Sequence, residues 1–424
     1  EITVFPLGLG YSYNINETKL IDLAAATGGD YRITDDDLIF RKYFIEVLCE
    51  AATWSVVTDP IFNLSGGQQK TLSVSVCSED DQVIFTVYWS DYDNAVDLTM
   101  KAPNGQLYTA NPSATNYTYE GKARYAFYKF DLSRLPASQR NGTWTMQVKG
   151  KTGVFPSDKT VRLSASVLAK NGAQISVDLD RPVIDTGARN LLQVRLAHMG
   201  KPLQKATVQA VLDAPKTGWG NIIRYNPVAM KKIEISREAG LAEKSQLQMK
   251  TELIQKKLGK KYMPREEIRI PLYDDGTHGD RRKNDGIYSA VIQNTKVPGL
   301  YNIRILVTAE INGKKTTREW TKTFRSTVAV DPRYSALDLK TVSVSKRKNI
   351  YKLAITPKDR FGNFMGPGHT VEIINVNGKR FELTDNLDST YSTDLSVTTK
   401  ELKKGDVIQV LVDDKPFTEM KLTR

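Results

Sequence analysis

Beyond Trp54 the chain alternates apolar and polar residues with a period of two, segment after segment, with Gly, Asn, Asp and Pro in between. "KTLSVSVCSEDDQVIFTVYWSD", "AVDLTMKAPNGQLYTA", "ARYAFYKFDLS" and "GTWTMQVKG" carry the pattern through the first of these stretches. A strand sends successive side chains to opposite faces, so this spacing specifies sheets with one dry and one wet face. Pro103-Asn104-Gly105 marks a hairpin, because Asn and Gly tolerate positive φ. Residues 59–170 are therefore expected to form an antiparallel β-sandwich.

The same alternation runs through "QISVDLD", "NLLQVRLAHMGKPL" and "ATVQAVLDAP". It resumes in "EEIRIPLYDDG", "GIYSAVIQ", "GLYNIRILVTAEING" and "REWTKTFRSTVAV". These segments predict a second sandwich over 171–330. Within it, "REAGLAEKSQLQMKTELIQKKLGKKYMP" is rich in good helix formers and predicts a helical insertion at about 238–261. Leu247, Ile254 and Leu258 share one face of that helix, and Gly259 with Pro264 ends it. After Asp331-Pro332, "IYKLAITPKDRFGNFMGPGHTVEIINVNG" and "DVIQVLVDDKPF" predict an immunoglobulin-like sandwich over 331–424.

Residues 1–58 read differently. "ITVFPLGLG" is a short buried-type strand, followed by a helix with Leu20, Leu23 and Ala24 as its apolar stripe and Gly28-Gly29 as its stop. "TDDDLIFRKYFIEVLCEAA" opens a second helix on acids, which the positive end of the helix dipole favours. Leu38, Phe40, Phe44, Ile45 and Leu48 are expected on its apolar face. The fold class is thus mainly β: a partial α/β segment followed by three antiparallel sandwiches, one with a helical insertion.

A chain of 424 residues exceeds one ordinary core, and roughly three to four domains is the prior. No apolar run approaches the roughly 20 residues that span a bilayer. No signal peptide is visible at Glu1, and the chain reads as a mature or trimmed piece. Lys and Arg number 60 against 48 Asp and Glu, a net charge of +12. A basic surface suits an anionic partner or simply solvates the fold, and no nucleic-acid recognition motif accompanies it. Cys49 and Cys77 allow one disulfide. Sequons at Asn16, Asn63, Asn116 and Asn141 fit a secreted or cell-surface location.

The most acidic stretch of this basic chain is "YDDGTHGDRRKNDGIYS", Tyr273 to Ser289. Asp274, Asp275, Asp280, Asn284 and Asp285, separated by glycines that permit sharp turns, are the candidate ligands of a hard cation such as calcium. The alternative is a turn whose Asp side chains bond to nearby backbone N–H groups. The spacing differs from the twelve-residue calcium loop, and Arg281, Arg282 and Lys283 compete for the carboxylates.

Catalytic motifs are wanting. No Gly-x-Ser-x-Gly elbow occurs, "GLG" at Gly8–Gly10 is too short for a dinucleotide fingerprint, and "SGGQQK" at Ser65–Lys70 lacks the spacing of a phosphate loop. Asp35-Asp36-Asp37 is best explained as a helix-start cap. Tyr88, Trp89, Tyr92, Tyr108, Tyr117 and Tyr119 sit at strand positions where core and cross-strand packing is the default.

"LYDDGTHGDRRKNDGIYSAVIQNTKVPGLYNIRILV" resembles the fibronectin-type-III-like segment of the calcium-activated chloride channel regulator family. In the same order, "LIDLAAATGGDYRITDDDLIF" looks like the closing helix, strand and helix of a von Willebrand factor A domain. "QVIFTVYWSDYDNAVDLTMKAPNGQLY" with "NGTWTMQVKG" looks like the β-rich unit that follows it. The likeness covers about residues 1–325, and the helical insertion departs from it. "ITPKDRFGNFMGPG" and "DNLDSTY" look instead like repeats of bacterial surface proteins. The family's adhesion loop, Asp-x-Ser-x-Ser, and its zinc motif, His-Glu-x-x-His, are both missing; the histidines are His198, His278 and His369.

The resemblance implies a non-enzymatic secreted or cell-surface protein that mediates adhesion or protein–protein interaction, with a protein or surface polymer as partner. Two alternatives stand beside it. One is the non-catalytic C-terminal part of a secreted metallohydrolase; the other is a self-assembling structural subunit of a prokaryotic surface.

Overall fold

The computed structural model describes residues 2–10, 15, 17–34, 36–52, 54–77, 79–156, 158–170, 172–226, 264–344, 348–366, 369–398 and 405–422. The helical insertion expected at 238–261 lies outside the described residues. Among the described residues the architecture is mainly β, with most strands in antiparallel sheets.

The chain begins with β1 (Leu7–Leu9), α1 (Glu17–Thr27), β2 (Arg32–Thr34) and α2 (Asp37–Ala52), and β1 pairs in parallel with β2. Asp36 caps α2 by accepting from the N–H groups of Leu38 (3.0 Å) and Ile39 (3.2 Å). The same carboxylate meets Arg162 at 2.6 Å. The apolar face expected on α2 needs correcting: Leu38 and Ile45 are buried, but Phe44 and Leu48 are about half exposed. The helix turns inward the face of Leu38, Lys42, Ile45, Glu46 and Cys49, because two of those residues find buried ion partners. On α1, Ala24 is buried while Leu23 is exposed.

The next sandwich opens with β3 (Trp54–Thr58), β4 (Ile61–Ser65), β5 (Gln69–Val76), β6 (Gln82–Trp89), β7 (Val96–Lys101) and β8 (Leu107–Tyr108). It continues with β9 (Thr118–Lys122), β10 (Tyr125–Asp131), the one-turn α3 (Ala137–Arg140), β11 (Gly142–Gly150) and β12 (Thr160–Lys170). One sheet runs β3-β12-β6-β10-β9, with β4 also on β12, and the other runs β5-β11-β7-β8. So β3, inside the expected 1–58 segment, hydrogen-bonds into the sandwich that follows. Phe85, Phe130 and Trp144 are fully buried between the sheets, and each phenylalanine so buried contributes roughly 1.5–3 kcal/mol. Tyr108 stacks edge-on to Phe130 at 4.9 Å, and Tyr119 packs on Tyr128 at 4.9 Å. Of the aromatics expected to pack, Trp89 and Tyr108 are buried, Tyr88, Tyr117 and Tyr119 are half-buried against the cores, and Tyr92 is exposed.

The third unit holds β13 (Ala173–Leu179), β14 (Val183–Asp185), β15 (Asn190–His198), β16 (Lys201–Pro202), β17 (Thr207–Pro215) and α4 (Trp219–Tyr225). After α4 come β18 (Arg265–Leu272), β19 (Ile287–Ile292), β20 (Gly299–Ile311) and β21 (Lys314–Thr327). Its sheets are β13-β15-β16, with β19 also on β15, and β14-β21-β20-β17-β18. Their shared core takes in Ile45 and Cys49 of α2 and Val56 of β3, so the α/β segment is packed into this sandwich.

The last unit comprises β22 (Ala336–Val344), β23 (Lys348–Thr356), β24 (Val371–Ile374), β25 (Arg380–Glu382), β26 (Thr384–Asp385), β27 (Tyr391–Thr398), β28 (Val407–Val412) and β29 (Lys415–Lys421). Sheets β22-β23-β27-β26 and β25-β24-β28-β29 enclose Leu353, Ile355, Ile373, Tyr391 and Val410. It joins the third unit through close contacts at α4. Asn221 accepts from the Phe364 N–H at 2.8 Å, Ser389 donates to the Gly220 carbonyl at 2.9 Å, and Thr186 donates to Asp359 at 2.7 Å. No helix among the described residues is long and apolar enough to cross a membrane.

Candidate functional site

The acidic stretch is the loop between β18 and β19, and its carboxylates are turned onto its own backbone. Asp274 accepts from the N–H groups of Asp285 and Gly286, both at 3.1 Å. Asp280, itself buried, accepts from Gly276 (2.7 Å) and Arg282 (3.1 Å). Asp275 accepts from Thr277 at 2.8 Å and Asp285 from Ile287 at 3.0 Å. Asn284 sits at φ 61°, and its carbonyl accepts from Gln204. Thr277, by its hydroxyl hydrogen bond, holds the Asp275 carboxyl below the usual carboxylate range. A shallow hollow of about 240 Å³ lies beside Asp274, Asp275 and Asn284. Among the described residues no three His, Cys, Asp or Glu side chains gather as a metal ion requires. A calcium ion entering here meets Asp274 and Asp280 with both oxygens already hydrogen-bonded.

Cys49 and Cys77, which the sequence allows to pair, are both buried free thiols. Cys49 packs in the third unit's core, whereas Cys77 lies where Asp80 accepts from its backbone N–H at 2.9 Å. Burial pushes the Cys49 thiol up to about 12 and the Cys77 thiol to about 11.

Buried charge is concentrated where β21 crosses the α/β segment and the first sandwich. Arg32, fully buried, contacts Asp30 at 2.9 Å and Glu46 at 3.4 Å, and donates to the Thr321 carbonyl at 3.3 Å. Lys322 reaches Asp30 at 2.5 Å, and the Thr321 hydroxyl donates to Glu46 at 2.6 Å. Nearby, Lys42 lies 3.4 Å from Asp59, which accepts from Ser164 (3.1 Å) and Ser166 (2.7 Å). Burial pushes the Glu46 carboxyl up to about 7 against the pull of Arg32, and that of Asp59 up to about 6 against Lys42. Farther along β21, Arg318 pairs with Asp80 at 3.1 Å and donates to the Ala173 carbonyl at 2.9 Å.

Next to this network opens a cleft of about 550 Å³. One wall is α1 with Ile21 and Ala25, and the other is β13, every residue of which from Gln174 to Leu179 lines the space. Trp54, Trp320 and Thr323 are also among its lining residues. Trp320 Nε1 and Thr323 Oγ1 are buried without a hydrogen-bond partner. Both polar and apolar surface is on offer, as in sites that bind organic or peptide ligands. The sequence reading missed this cleft. "QISVDLD" announces a strand, but nothing in a period of two says which strand edge is left open.

No family model matches the chain, and no curated protein matches it. Among solved structures it is similar to a DUF4785 family protein from Legionella pneumophila, at 11% identity, over 88% of this chain and 94% of that one, with a TM-score of 0.37. It is also similar to the Escherichia coli adhesin FdeC, at 12% identity over 86% and 97% of the two chains, with a TM-score of 0.31. A Salmonella alpha-2-macroglobulin shares 11% identity over 87% of this chain and 23% of its own, with a TM-score of 0.21. Likenesses this distant assign the chain neither a fold family nor an activity.

Proposed function

We propose that this is a non-enzymatic secreted or cell-surface protein whose sandwiches form a stiff body for adhesion or protein–protein contact. The observation that supports it is the junction made by β21. Its Arg318–Asp80 and Lys322–Asp30 pairs tie the third unit to the two preceding segments, the first pair fully buried and the second largely so. A body fixed at its junctions keeps a binding surface at constant distance and orientation, which suits display rather than bond-making. The reading also rests on the resemblance of residues 1–325 to the chloride channel regulator family, which takes in the α/β segment and the two sandwiches after it but not the last one.

Latex beads coated with the full chain, presented to immobilised fibronectin, collagen and intact cells before and after surface proteolysis, test the reading. Protease-sensitive capture on at least one surface is expected. Beads indistinguishable from albumin-coated controls on every surface refute it.

A further inference from the structure

The main-chain groups of β13 point in two directions that the hydrogen bonds identify. In an antiparallel strand, the N–H and C=O of one residue face the same side, and alternate residues face opposite sides. The Ala173 carbonyl accepts from Ser55 and Arg318, and therefore faces away from β15. Asp180 N–H reaches the Leu191 carbonyl, so the even-numbered residues face β15. Leu196, opposite Ile175, instead donates to Gly286 on its far side, which agrees. Ile175, Val177 and Leu179 thus hold their N–H and C=O groups outward, and β13 pairs with no strand on that side among the described residues.

That open edge borders the 550 Å³ cleft, since consecutive residues of opposite facing, Gln174 to Leu179, all line it. An unpaired strand edge is a template for one more strand. A strand laid beside β13 would place its residues against Ile21 and Ala25 of α1 on one face.

Charge selects among such strands. Glu50 on α2 and Asp178 on β13 both line the cleft, are both exposed, and form no ion pair within 4.0 Å among the described residues, Lys322 and Arg32 acting on Glu50 only from farther off. Lys322 is engaged by Asp30. Arg195, the remaining cation of the lining, stands on β15, roughly 4.8 Å farther from the open edge than β13 itself. An incoming strand therefore meets two carboxylates first.

We propose that the outer edge of β13 binds one extended segment of a partner protein by strand addition, with a lysine or arginine of that segment set between Glu50 and Asp178. The inference rests on the protein-contact reading above and names the chemistry of its partner.

The test selects binders of the full chain from a phage-displayed random dodecapeptide library. The strongest peptide is then measured by fluorescence anisotropy and by amide hydrogen exchange of the chain. Expected are peptides with alternating apolar residues around a Lys or Arg, and slowed exchange at Ile175, Val177 and Leu179 on binding. Ile175→Pro removes an outward N–H while leaving the β15 ladder intact, and should weaken binding at least tenfold. Glu50→Lys and Asp178→Lys, at exposed positions, should each do the same, with circular dichroism and thermal melting checking that the fold is kept. An empty selection, or peptides whose binding leaves those three amides exchanging freely and survives Glu50→Lys, overturns the proposal. Should Ile175→Pro unfold the chain, the exchange data and Glu50→Lys decide. Bead capture that persists in Glu50→Lys keeps the adhesion reading and removes only this site; peptide binding without any bead capture does the reverse.

Discussion

Arg318 on β21 and Asp80 in the turn before β6 meet at 3.1 Å with both side chains essentially inaccessible to solvent. They stand 238 residues apart in the chain and join the first sandwich to the third unit. Arg318 spends its other donors on the carbonyls of Ala173 and Thr317 and on the Thr316 hydroxyl. Removing one member leaves a desolvated charge behind. Asp80→Ala is expected to cost about 3–5 kcal/mol in urea unfolding, and the double change with Arg318→Met to cost less than Asp80→Ala alone. Equal losses in the two variants would show that the pair is solvated after all.

Glu46 and Asp59 give the same junction a pH dependence. Burial raises both folded-state values, to about 7 and about 6, above those of the unfolded chain. The folded state therefore holds more protons than the unfolded one in the window from about 4 to 7. Their contribution is fully present below the unfolded pKa and is lost as pH rises through the folded one. Melting temperature should fall from pH 5 to pH 7.5, and Glu46→Gln should flatten that slope. A slope unchanged by Glu46→Gln would place the titration elsewhere.

The junction with the last sandwich leaves no room at Gly220. A Cβ added there falls 2.1 Å from the Phe364 carbonyl oxygen, backbone that cannot swing aside. Gly220→Ala should cost roughly 1–3 kcal/mol, as overpacking does, and expose the segment around Phe364 to limited proteolysis. A digest identical to that of the parent chain would contradict the close approach.

For the cysteines, alkylation is decisive. Iodoacetamide should add nothing to the native chain and two groups in denaturant without reductant, because both thiols are buried and free. A requirement for reductant would restore the disulfide.

Asp280 supplies two of the loop's main-chain acceptor contacts, to Gly276 and Arg282. Asp280→Ala should cost about 0.5–1.5 kcal/mol for each bond lost, water reaching the exposed Gly276 and Arg282 in its place, and an unchanged melting temperature would show that the loop does not lean on it.

Sheets were legible wherever alternation met turn chemistry: Pro103-Asn104-Gly105 does close a tight turn, between β7 and β8. The sequence reading went astray where charge is buried. It selected Phe44 and Leu48 as the inner face of α2, since they are the more apolar, whereas partners elsewhere in the chain draw Lys42 and Glu46 inside. A clue existed in "REWTKTF". A period of two puts Arg318 and Lys322 on one face with Trp320 and Phe324, and all four are buried. In the acidic loop, both a cation site and a backbone-bonded turn fit the spacing, and the hydrogen bonds of Asp274 and Asp280 show what the carboxylates do within the chain. The β13 cleft was not legible at all, because an open edge is a property of the sheet order and not of the strand.

The Asp36 carboxylate closes the first turn of α2 and also holds Arg162 on β12. Fraying of that helix end would strip the neighbouring sheet of an ion partner, and loss of the sheet's arginine would uncover the helix end. The two ends are thereby coupled, and early loss of either loosens the other by the modest amount a partly exposed ion pair carries.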